Sequence, residues 1–312
     1  MKEFLKAGDK VYFESKIDKR VQKVKAIFDL KRLLEINADK NYIKKYYAVS
    51  GIFYSLFHSS DFIHMGISRD GRYKRSDLLE AVRVIEKKAE NFKNADVLEL
   101  ATGRGANSFY LAKKFPEFEF FGVDISKEQL NHAYNKQKKA PNYHPDLGDF
   151  HNLSKFKDNT FELVFVIESL CHSTNKQKVL KEAGRVLKKG GLFIVIDGYL
   201  NTPGTTENEK IAVKLTAAGM ALKGFEHYKI FVKKAVKTGF KVLSEEDATE
   251  CVLPTMKWFE FLAKCFFYYT WLGKFISKIF PKEFIYNALS GYFLAELTKK
   301  KIFTYMITVL KK

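Results

Sequence analysis

The chain has 312 residues and a net charge of +18, with 54 basic against 36 acidic residues. A chain of this length buries about three quarters of its unfolded surface, so its core needs neither a disulfide nor a metal. Apolar residues make up 46% and charged residues 29%, which excludes a disordered tail and a fibre. Only eight basic residues are arginine, the residue that phosphate and base recognition favour. The charge therefore indicates an anionic membrane or a merely lysine-rich surface ahead of nucleic acid.

The three cysteines form no C-x-x-C pair, as expected of a reduced, cytosolic protein. Residues 1–10 lack the apolar centre of a signal peptide. The most apolar stretch, 258–280, is interrupted by three lysines and falls short of the ~20 residues of a spanning helix. We therefore expect a cytoplasmic protein, and contact with the inner face of a membrane stays open.

The first predicted element is a basic amphipathic helix over 15–36, with Ile17, Val21, Val24 and Phe28 at helical spacing. It either caps the main domain or lies in the plane of a membrane. Aromatic residues crowd 42–68, and a helix is predicted from Arg75 to Phe92. We place an N-terminal helical cap at 1–75 and the main domain at 76–312.

Short apolar runs alternate with helical patterns from Asp96 onward. The predicted strands are 96–101, 118–123, 143–147, 161–167, 192–198, 239–243 and 302–310. Such alternation predicts an α/β fold with a mostly parallel seven-stranded sheet and helices on both faces. The long connection before the last strand is rich in aromatics, and we interpret residues 247–299 as a helical lid.

The most informative motif is DVLELATGRGAN, residues 96–107, which joins the first strand to a helix. Gly103 and Gly105 lie in the turn, where glycine allows unusual backbone angles and close approach of a ligand. The third glycine of the dinucleotide fingerprint would fall at Ser108. Glu99 would repel a pyrophosphate and suits a cationic ligand better.

Two further carboxylates follow at regular intervals. Asp124 ends the second predicted strand, and Asp149 follows it at the same spacing that separates Asp124 from Glu99. A carboxylate at the end of the second strand can accept both ribose hydroxyls. Asp149 can accept from an adenine amino group, with Phe150 beside the ring. The pattern predicts a nucleoside site without a phosphate cradle.

These motifs, in this order, resemble the class I S-adenosylmethionine-dependent methyltransferases over roughly residues 42–312. Ala101 stands where the family usually has its first glycine, and GRVLKKGGLFIVID matches the approach to the fifth strand. The resemblance implies a Rossmann-like fold and S-adenosylmethionine as the cofactor. It implies cofactor contacts from Tyr47, Glu99, Ala101, Thr102, Gly103, Gly105, Asp124, Ile125, Gln129, Asp149, Phe150 and Glu168.

The segment VFVIESLCHS looks like the I-E-A-x-C-H segment of sterol C-methyltransferases and tocopherol-type relatives. This resemblance implies a hydrophobic small-molecule acceptor of the isoprenoid, sterol, quinone or lipid-like class. It implies C-methylation, with Glu168 and His172 near the acceptor and His64 closing the other side. The alternatives are that Glu168 is a structural hydrogen-bond partner and that His172 caps a helix.

Competing functions remain open at this stage. O- or N-methylation of a specialised metabolite is the main alternative. An RNA methyltransferase is disfavoured because strand four ends in IESLC rather than a D/N-P-P-Y/F sequence, and no nucleic-acid partner is expected. A non-catalytic cofactor-binding protein is disfavoured by the intact acids and glycines. No metal-ligand spacing stands out, and the sequence carries no signal for the oligomeric state.

Overall fold

The computed structural model describes residues 15–36 and 38–312. The part of the predicted N-terminal cap that precedes Ser15, including the segment without a signal-peptide core, lies outside the described residues. The domain boundaries predicted at residue 75 and around the lid stay predictions.

A seven-stranded sheet forms the centre of the molecule. Its strands are β1 (Asp96–Leu100), β2 (Glu119–Asp124), β3 (Tyr143–Leu147), β4 (Phe161–Ile167), β5 (Leu187–Leu200), β6 (Lys241–Asp247) and β7 (Phe303–Lys311). The strand order is β3-β2-β1-β4-β5-β7-β6. Only β7 runs antiparallel to its neighbours β5 and β6 in this sheet, while the other pairs are parallel. The predicted mostly parallel α/β fold is confirmed.

The sheet separates two hydrophobic cores. Successive side chains of a strand point to opposite faces. Leu163, Phe165 and Ile167 of β4 accordingly enter one core, whereas Val164 and Val166 enter the other. One helix, α4 (Glu80–Ala89), leads into β1, and five lie between the strands from β1 to β6: α5 (Ala106–Lys114), α6 (Lys127–Gln137), α7 (Lys176–Val186), α8 (Glu207–Gly219) and α9 (Tyr228–Lys237).

The described residues up to Phe57 form three helices, α1 (Lys16–Ile27), α2 (Leu30–Leu34) and α3 (Lys40–Phe57). The single helix predicted over 15–36 is wrong in its continuity. Phe28 ends α1 in extended backbone, and the side chain of Asp29 caps the first turn of α2. The predicted apolar stripe of α1 is buried at Ile17, Val21 and Val24.

Three helices lie between β6 and β7: α10 (Thr249–Phe267), α11 (Thr270–Ile279) and α12 (Lys282–Lys299). They occupy the region interpreted as a lid. Arg20 of α1 is buried against them, where its guanidinium donates to Glu260 of α10 and to the carbonyl oxygen of Tyr292 on α12. Across residues 15–36 and 38–312, no helix combines the length and apolarity needed to cross a bilayer.

Candidate active site

Four acidic side chains gather at or near the carboxyl ends of the central parallel strands. Glu99 lies in β1, Asp124 ends β2, Glu168 follows β4 and Asp197 lies in the last third of β5. Ligands of open α/β sheets bind beyond this edge. The topology therefore brings together three predicted site residues, Glu99, Asp124 and Glu168, and one residue that sequence reasoning missed.

The turn after β1 adopts left-handed backbone at three positions, with φ of 56° at Ala101, 54° at Gly103 and 73° at Gly105. The two glycines serve different purposes. A Cβ at Gly105 would lie 2.5 Å from the Tyr143 hydroxyl, so only glycine fits the packing there. A Cβ at Gly103 would meet no atom within 4 Å, which leaves that side of the turn open to a ligand.

Glu99 stabilises this turn and the start of α5 by hydrogen bonds. Its carboxylate accepts hydrogen bonds from Thr102 Oγ1 at 2.7 Å, Asn107 Nδ2 at 2.8 Å and Ser108 Oγ at 2.6 Å. Burial raises the pKa of Glu99 to about 7, and these bonds oppose the rise. The hydrogen bonds that the structure gives Glu99 therefore shape the turn, and its predicted contact with a cofactor stays a prediction.

Asp124 faces the same turn from the end of β2. Its Oδ2 accepts from the Gly103 amide at 2.9 Å, and its Oδ1 accepts from the Ser126 amide at 2.8 Å. A carboxylate offers about four lone-pair directions, so Asp124 keeps capacity to accept from a ribose hydroxyl. Burial raises the pKa of Asp124, and its backbone hydrogen bonds counteract that rise.

Arg104, a residue that sequence reasoning missed, connects the turn to α3. The buried guanidinium donates to the carbonyl oxygens of Gly51 at 3.0 Å and Ser60 at 2.6 Å. It also donates to Gln129, whose amide nitrogen lies 3.4 Å from the Tyr47 carbonyl oxygen. An arginine between two glycines carries no local signal for partners that lie so far away along the chain.

Asp149 lies beyond β3 and is already engaged by the protein. It accepts from Lys40 Nζ at 2.5 Å and from both the backbone amide and Nδ1 of His151. Burial alone would raise the pKa of Asp149, but these hydrogen bonds outweigh it and hold the pKa at about 2. Phe150 packs on the His151 ring with centroids 4.7 Å apart.

The turn borders a cavity of about 130 Å³, called here the cofactor cavity. Its walls include all the predicted cofactor contacts except Glu99 and Gly105, which do not line it. These predicted residues line it: Tyr47, His64, Ala101, Thr102, Gly103, Asp124, Ile125, Gln129, Asp149, Phe150, Glu168 and His172. The open side of Gly103 and the remaining lone pairs of Asp124 fit a nucleoside cofactor.

A second, larger cavity of about 460 Å³, called here the acceptor cavity, lies between the sheet edge and α10–α12. Its walls are predominantly aromatic and aliphatic. The carboxyl groups of Glu168 and Asp197 are its acidic members, and no lysine or arginine among the described residues lines it. The arrangement suits a neutral or cationic apolar molecule and disfavours an anion.

The two cavities meet at four residues that line both of them, namely Tyr47, Ile63, Glu168 and His172. Two of the three predicted catalytic residues therefore lie at the junction. The third, His64, lines only the cofactor cavity. Its Nδ1 lies 3.0 Å from the Met65 carbonyl oxygen and its Nε2 lies 3.2 Å from Asn107 Oδ1. Both ring nitrogens therefore already face protein atoms, and neither points freely toward a methyl-accepting molecule.

Glu168 adopts left-handed backbone with φ of 47°. This conformation is strained for a residue other than glycine, and strained residues cluster at functional sites. Its Oε1 accepts from the Met65 amide and from the Tyr305 hydroxyl, each at 2.7 Å. Burial raises the pKa of Glu168 to about 7, and both hydrogen bonds oppose this rise. A carboxyl with this pKa can exchange a proton near neutral pH.

His172 and Tyr47 form a neutral pair beside Glu168. Nδ1 of His172 lies 3.3 Å from the carbonyl oxygen of Ala221, which can only accept, so this nitrogen carries the proton. Nε2 therefore accepts from the Tyr47 hydroxyl at 2.8 Å. Burial lowers the pKa of His172 to about 4 and raises that of Tyr47 well above its usual value.

Asp197 is the functional candidate that strand patterns should have revealed. It ends the run GLFIVID, and the rule that pointed to Asp124 applies to it equally. Its carboxylate accepts from the backbone amides of Cys171 at 2.8 Å and Gly198 at 2.7 Å. Burial, with the nearby Glu168 carboxyl, raises the pKa of Asp197 to about 6.

Comparison with known proteins agrees with this geometry. Residues 91–238 match the family model described as "Methyltransferase domain". These residues are similar to a methyltransferase domain. The segment runs from just before β1 to the end of α9. It includes the glycine turn, Asp124, Asp149, Glu168 and Asp197.

Two curated relatives and one solved structure illustrate the similarity. Sterol methyltransferase-like 3 of Botryococcus braunii is 30% identical over 60% of this chain and 50% of its own length. Demethylmenaquinone methyltransferase of Thermotoga maritima is 34% identical over 32% of this chain and 42% of its own. The cyclopropane synthase MmaA2 from Mycobacterium tuberculosis superposes with a TM-score of 0.71 at 14% identity, over 86% of this chain and 97% of that one.

The chain spans about half the length of the curated relatives it matches. The resemblance to class I S-adenosylmethionine-dependent methyltransferases is confirmed by these findings, and they support S-adenosylmethionine as the cofactor. The contacts of individual residues with that cofactor, and the catalytic roles of Glu168, His172 and His64, stay predictions.

Proposed function

We propose that this protein transfers a methyl group from S-adenosylmethionine to an apolar or amphipathic small molecule of the isoprenoid, sterol, quinone or lipid-like class. One observation carries the proposal: the cofactor cavity and the acceptor cavity share the walls formed by Tyr47, Ile63, Glu168 and His172. When bound, S-adenosylmethionine supplies an electrophilic methyl group on its sulfonium. Asp124 would hold its ribose, and the turn at Gly103 would lie beside it.

The walls of the acceptor cavity support the substrate class. Aromatic and aliphatic side chains such as Phe259, Phe266 and Leu294 supply most of its surface. Its carboxyl groups, Glu168 and Asp197, would repel a phosphate or carboxylate of the acceptor. A neutral acceptor is therefore the better fit.

Carbon methylation is the finer part of the proposal. If an alkene carbon of the acceptor takes the methyl group, its π electrons would form the new carbon–carbon bond, the sulfur–methyl bond would break with S-adenosylhomocysteine as the leaving group, and the neighbouring carbon would become cationic. Tyr47 and Tyr305 present aromatic rings near that position, and aromatic faces stabilise cations. Glu168 then accepts a proton from the adjacent carbon, the C–H electrons restore the alkene, and the carboxyl releases the proton to solvent. His172 keeps the Tyr47 hydroxyl oriented.

Nitrogen methylation is the second candidate, and the two carboxyl groups of the acceptor cavity favour it. Glu168 and Asp197 would attract an amine as well as a carbocation. The two candidates differ in their product. Carbon methylation leaves an uncharged lipid, whereas nitrogen methylation leaves a base that binds to a cation-exchange resin.

The direct test uses purified protein with radiolabelled S-adenosylmethionine, incubated with a total lipid extract and in parallel with total RNA. Label in the organic phase that passes through a cation exchanger supports carbon methylation, and mass spectrometry then locates the methyl group. Label in RNA contradicts the proposal. Cofactor binding without transfer to either extract also contradicts it and favours a non-catalytic protein or a soluble acceptor.

A further inference from the structure

The lid helices carry an exposed aromatic face. We define it by six residues: Trp258, Phe261, Tyr268, Trp271, Phe275 and Ile279. Trp271 is 67% exposed and Phe261 and Phe275 are each 57% exposed, which is far from the usual burial of such side chains. A cluster of large exposed apolar side chains on successive helices of a folded protein indicates a binding surface.

The aromatic face follows from helical periodicity, and the helices that carry it pack on α1 and α3. Trp271, Phe275 and Ile279 recur at every fourth position along α11, so they share one side of that helix. The opposite side is buried at Gly273, where a Cβ would lie 2.8 Å from the Ile27 side chain of α1. Trp258 donates its indole N–H to the carbonyl oxygen of Phe57, at 3.0 Å, which joins α10 to the end of α3.

Positive charge surrounds the aromatic face. Residues 257–282 contain five lysines and a single acidic residue, Glu260. That carboxylate is buried and accepts from Arg20 and Lys264, so it does not offset the outer lysines. Lys274 and Lys278 lie on α11 itself, between the aromatic residues, and both are exposed. Exposed aromatics with lysines around them are the composition of helices that lie in a lipid interface.

The aromatic face is continuous with the mouth of the acceptor cavity. Phe57 and Phe280 are 46% and 47% exposed, yet both line that cavity. The exposed Cys265 and the half-buried Ile276 do the same from α10 and α11. A molecule that leaves a lipid phase at this face would therefore enter the cavity without crossing water.

We propose that the aromatic face docks on an anionic membrane surface and that the methyl acceptor passes from the bilayer into the acceptor cavity through it. Charge complementarity and the continuity with the cavity select a membrane over a second copy of this chain, whose own face would carry the same positive charge. The entry route rests on the proposed function, whereas the docking itself does not.

The chain contains a built-in reporter, because both of its tryptophans, Trp258 and Trp271, belong to the aromatic face. The purified 312-residue chain is titrated with vesicles of phosphatidylcholine alone and of phosphatidylcholine with about one third phosphatidylglycerol. We expect tryptophan emission to shift to shorter wavelength with the anionic vesicles and to be quenched by brominated acyl chains. Added salt should weaken binding, since screening acts on the lysine contribution.

Two sets of variants separate the apolar and charged contributions. Phe261→Ser, Trp271→Ser and Phe275→Ser combined should reduce vesicle affinity, measured by sedimentation, at least about tenfold. The matched control replaces three exposed apolar residues elsewhere: Ile230→Ser, Val236→Ser and Leu243→Ser. Lys274→Glu with Lys278→Glu should also lose about tenfold or more, whereas Lys233→Glu with Lys237→Glu on α9 should lose much less.

Each outcome decides the proposal. The proposal is overturned if the wild-type protein does not bind anionic vesicles. It is also overturned if the serine triple variant of the aromatic face and its control variant have the same vesicle affinity. If the triple variant instead converts a dimer to a monomer in ultracentrifugation with vesicle binding unchanged, the face is a contact between copies and docking is refuted. Vesicle binding without methyl transfer refutes only the proposed function, whereas transfer to a detergent-dispersed acceptor without vesicle binding refutes only the docking.

Discussion

The hydroxyl of Tyr305, on the antiparallel strand β7, lies 2.7 Å from Oε1 of Glu168 and donates a hydrogen bond to it. Tyr305 is buried, and within the described residues its hydroxyl donates to no other acceptor. This bond stabilises the ionised carboxyl and so opposes the effect of burial on the pKa of Glu168. A side chain of β7 therefore lowers the proton affinity of Glu168, the proposed base.

The first prediction concerns the pH dependence of methyl transfer. Glu168 must be ionised to accept a proton, so kcat/KM should rise with pH through the pKa of about 7 and level off above it. Tyr305→Phe removes a donor to the ionised form, so the midpoint should move upward by about one pH unit. A midpoint that stays in place or moves downward would argue against this assignment.

The second prediction is that Glu168→Gln lowers kcat by about 10²–10⁴, because glutamine accepts no proton. The amide oxygen can still accept from Met65 and Tyr305, so affinity for S-adenosylhomocysteine, measured by calorimetry, should be preserved. Glu162→Gln, at the other end of β4, is the matched control and should keep its turnover. Near-normal kcat in Glu168→Gln would remove this residue from the chemistry.

The third prediction treats Tyr47 and His172 as one unit. Tyr47→Phe leaves Nε2 of His172 without its donor, and His172→Phe leaves the Tyr47 hydroxyl without its acceptor. Each change should lower kcat by about tenfold through misorientation at the junction of the cavities. Because both changes break the same bond, the double variant should be no slower than the slower of the two single variants. Multiplicative losses would show that the two side chains act independently.

The fourth prediction concerns the ribose. Asp124→Asn replaces one carboxylate oxygen by a donor, so it should weaken binding of S-adenosylhomocysteine by about ten- to a hundredfold in calorimetry. Asp146→Asn, on the exposed side of β3 and paired with Lys155, is the control and should bind as wild type does. Unchanged affinity in Asp124→Asn would place the ribose elsewhere.

Local patterns were sufficient for much of the fold and for part of the site. Strand bounds follow from apolar runs between helical stretches, the strand-end rule found Asp124, and the resemblance of VFVIESLCHS to a known segment pointed to Glu168. The strand-end rule applies equally to Asp197, so this residue could have been predicted from the sequence. The helical break at Phe28 was missed because apolar periodicity continues across it, although Asp29 is a good capping residue.

Pairings between distant segments were beyond the sequence. Tyr305 and Glu168 lie far apart along the chain, and Arg20 and Glu260 lie farther apart still. A strand pattern can show that Tyr305 points toward one face of the sheet, but its partner depends on how β7 is inserted beside β5. Only the assembled topology makes these pairs neighbours.

The last prediction separates the two glycines of the turn, which a motif treats alike. Both have left-handed backbone, so alanine costs about 1 kcal/mol of unfolding free energy at either site. At Gly105 the added methyl would also meet the Tyr143 hydroxyl, so Gly105→Ala should lose about 2–4 kcal/mol in denaturant titration.

At Gly103 the methyl would enter open space on the wall of the cofactor cavity, where nothing in the described part of the protein resists it. Gly103→Ala should therefore keep most of its stability but weaken binding of S-adenosylhomocysteine by about tenfold or more. The opposite pattern, with normal cofactor binding and a large loss of stability at Gly103, would mean that the ligand approaches the turn from another side.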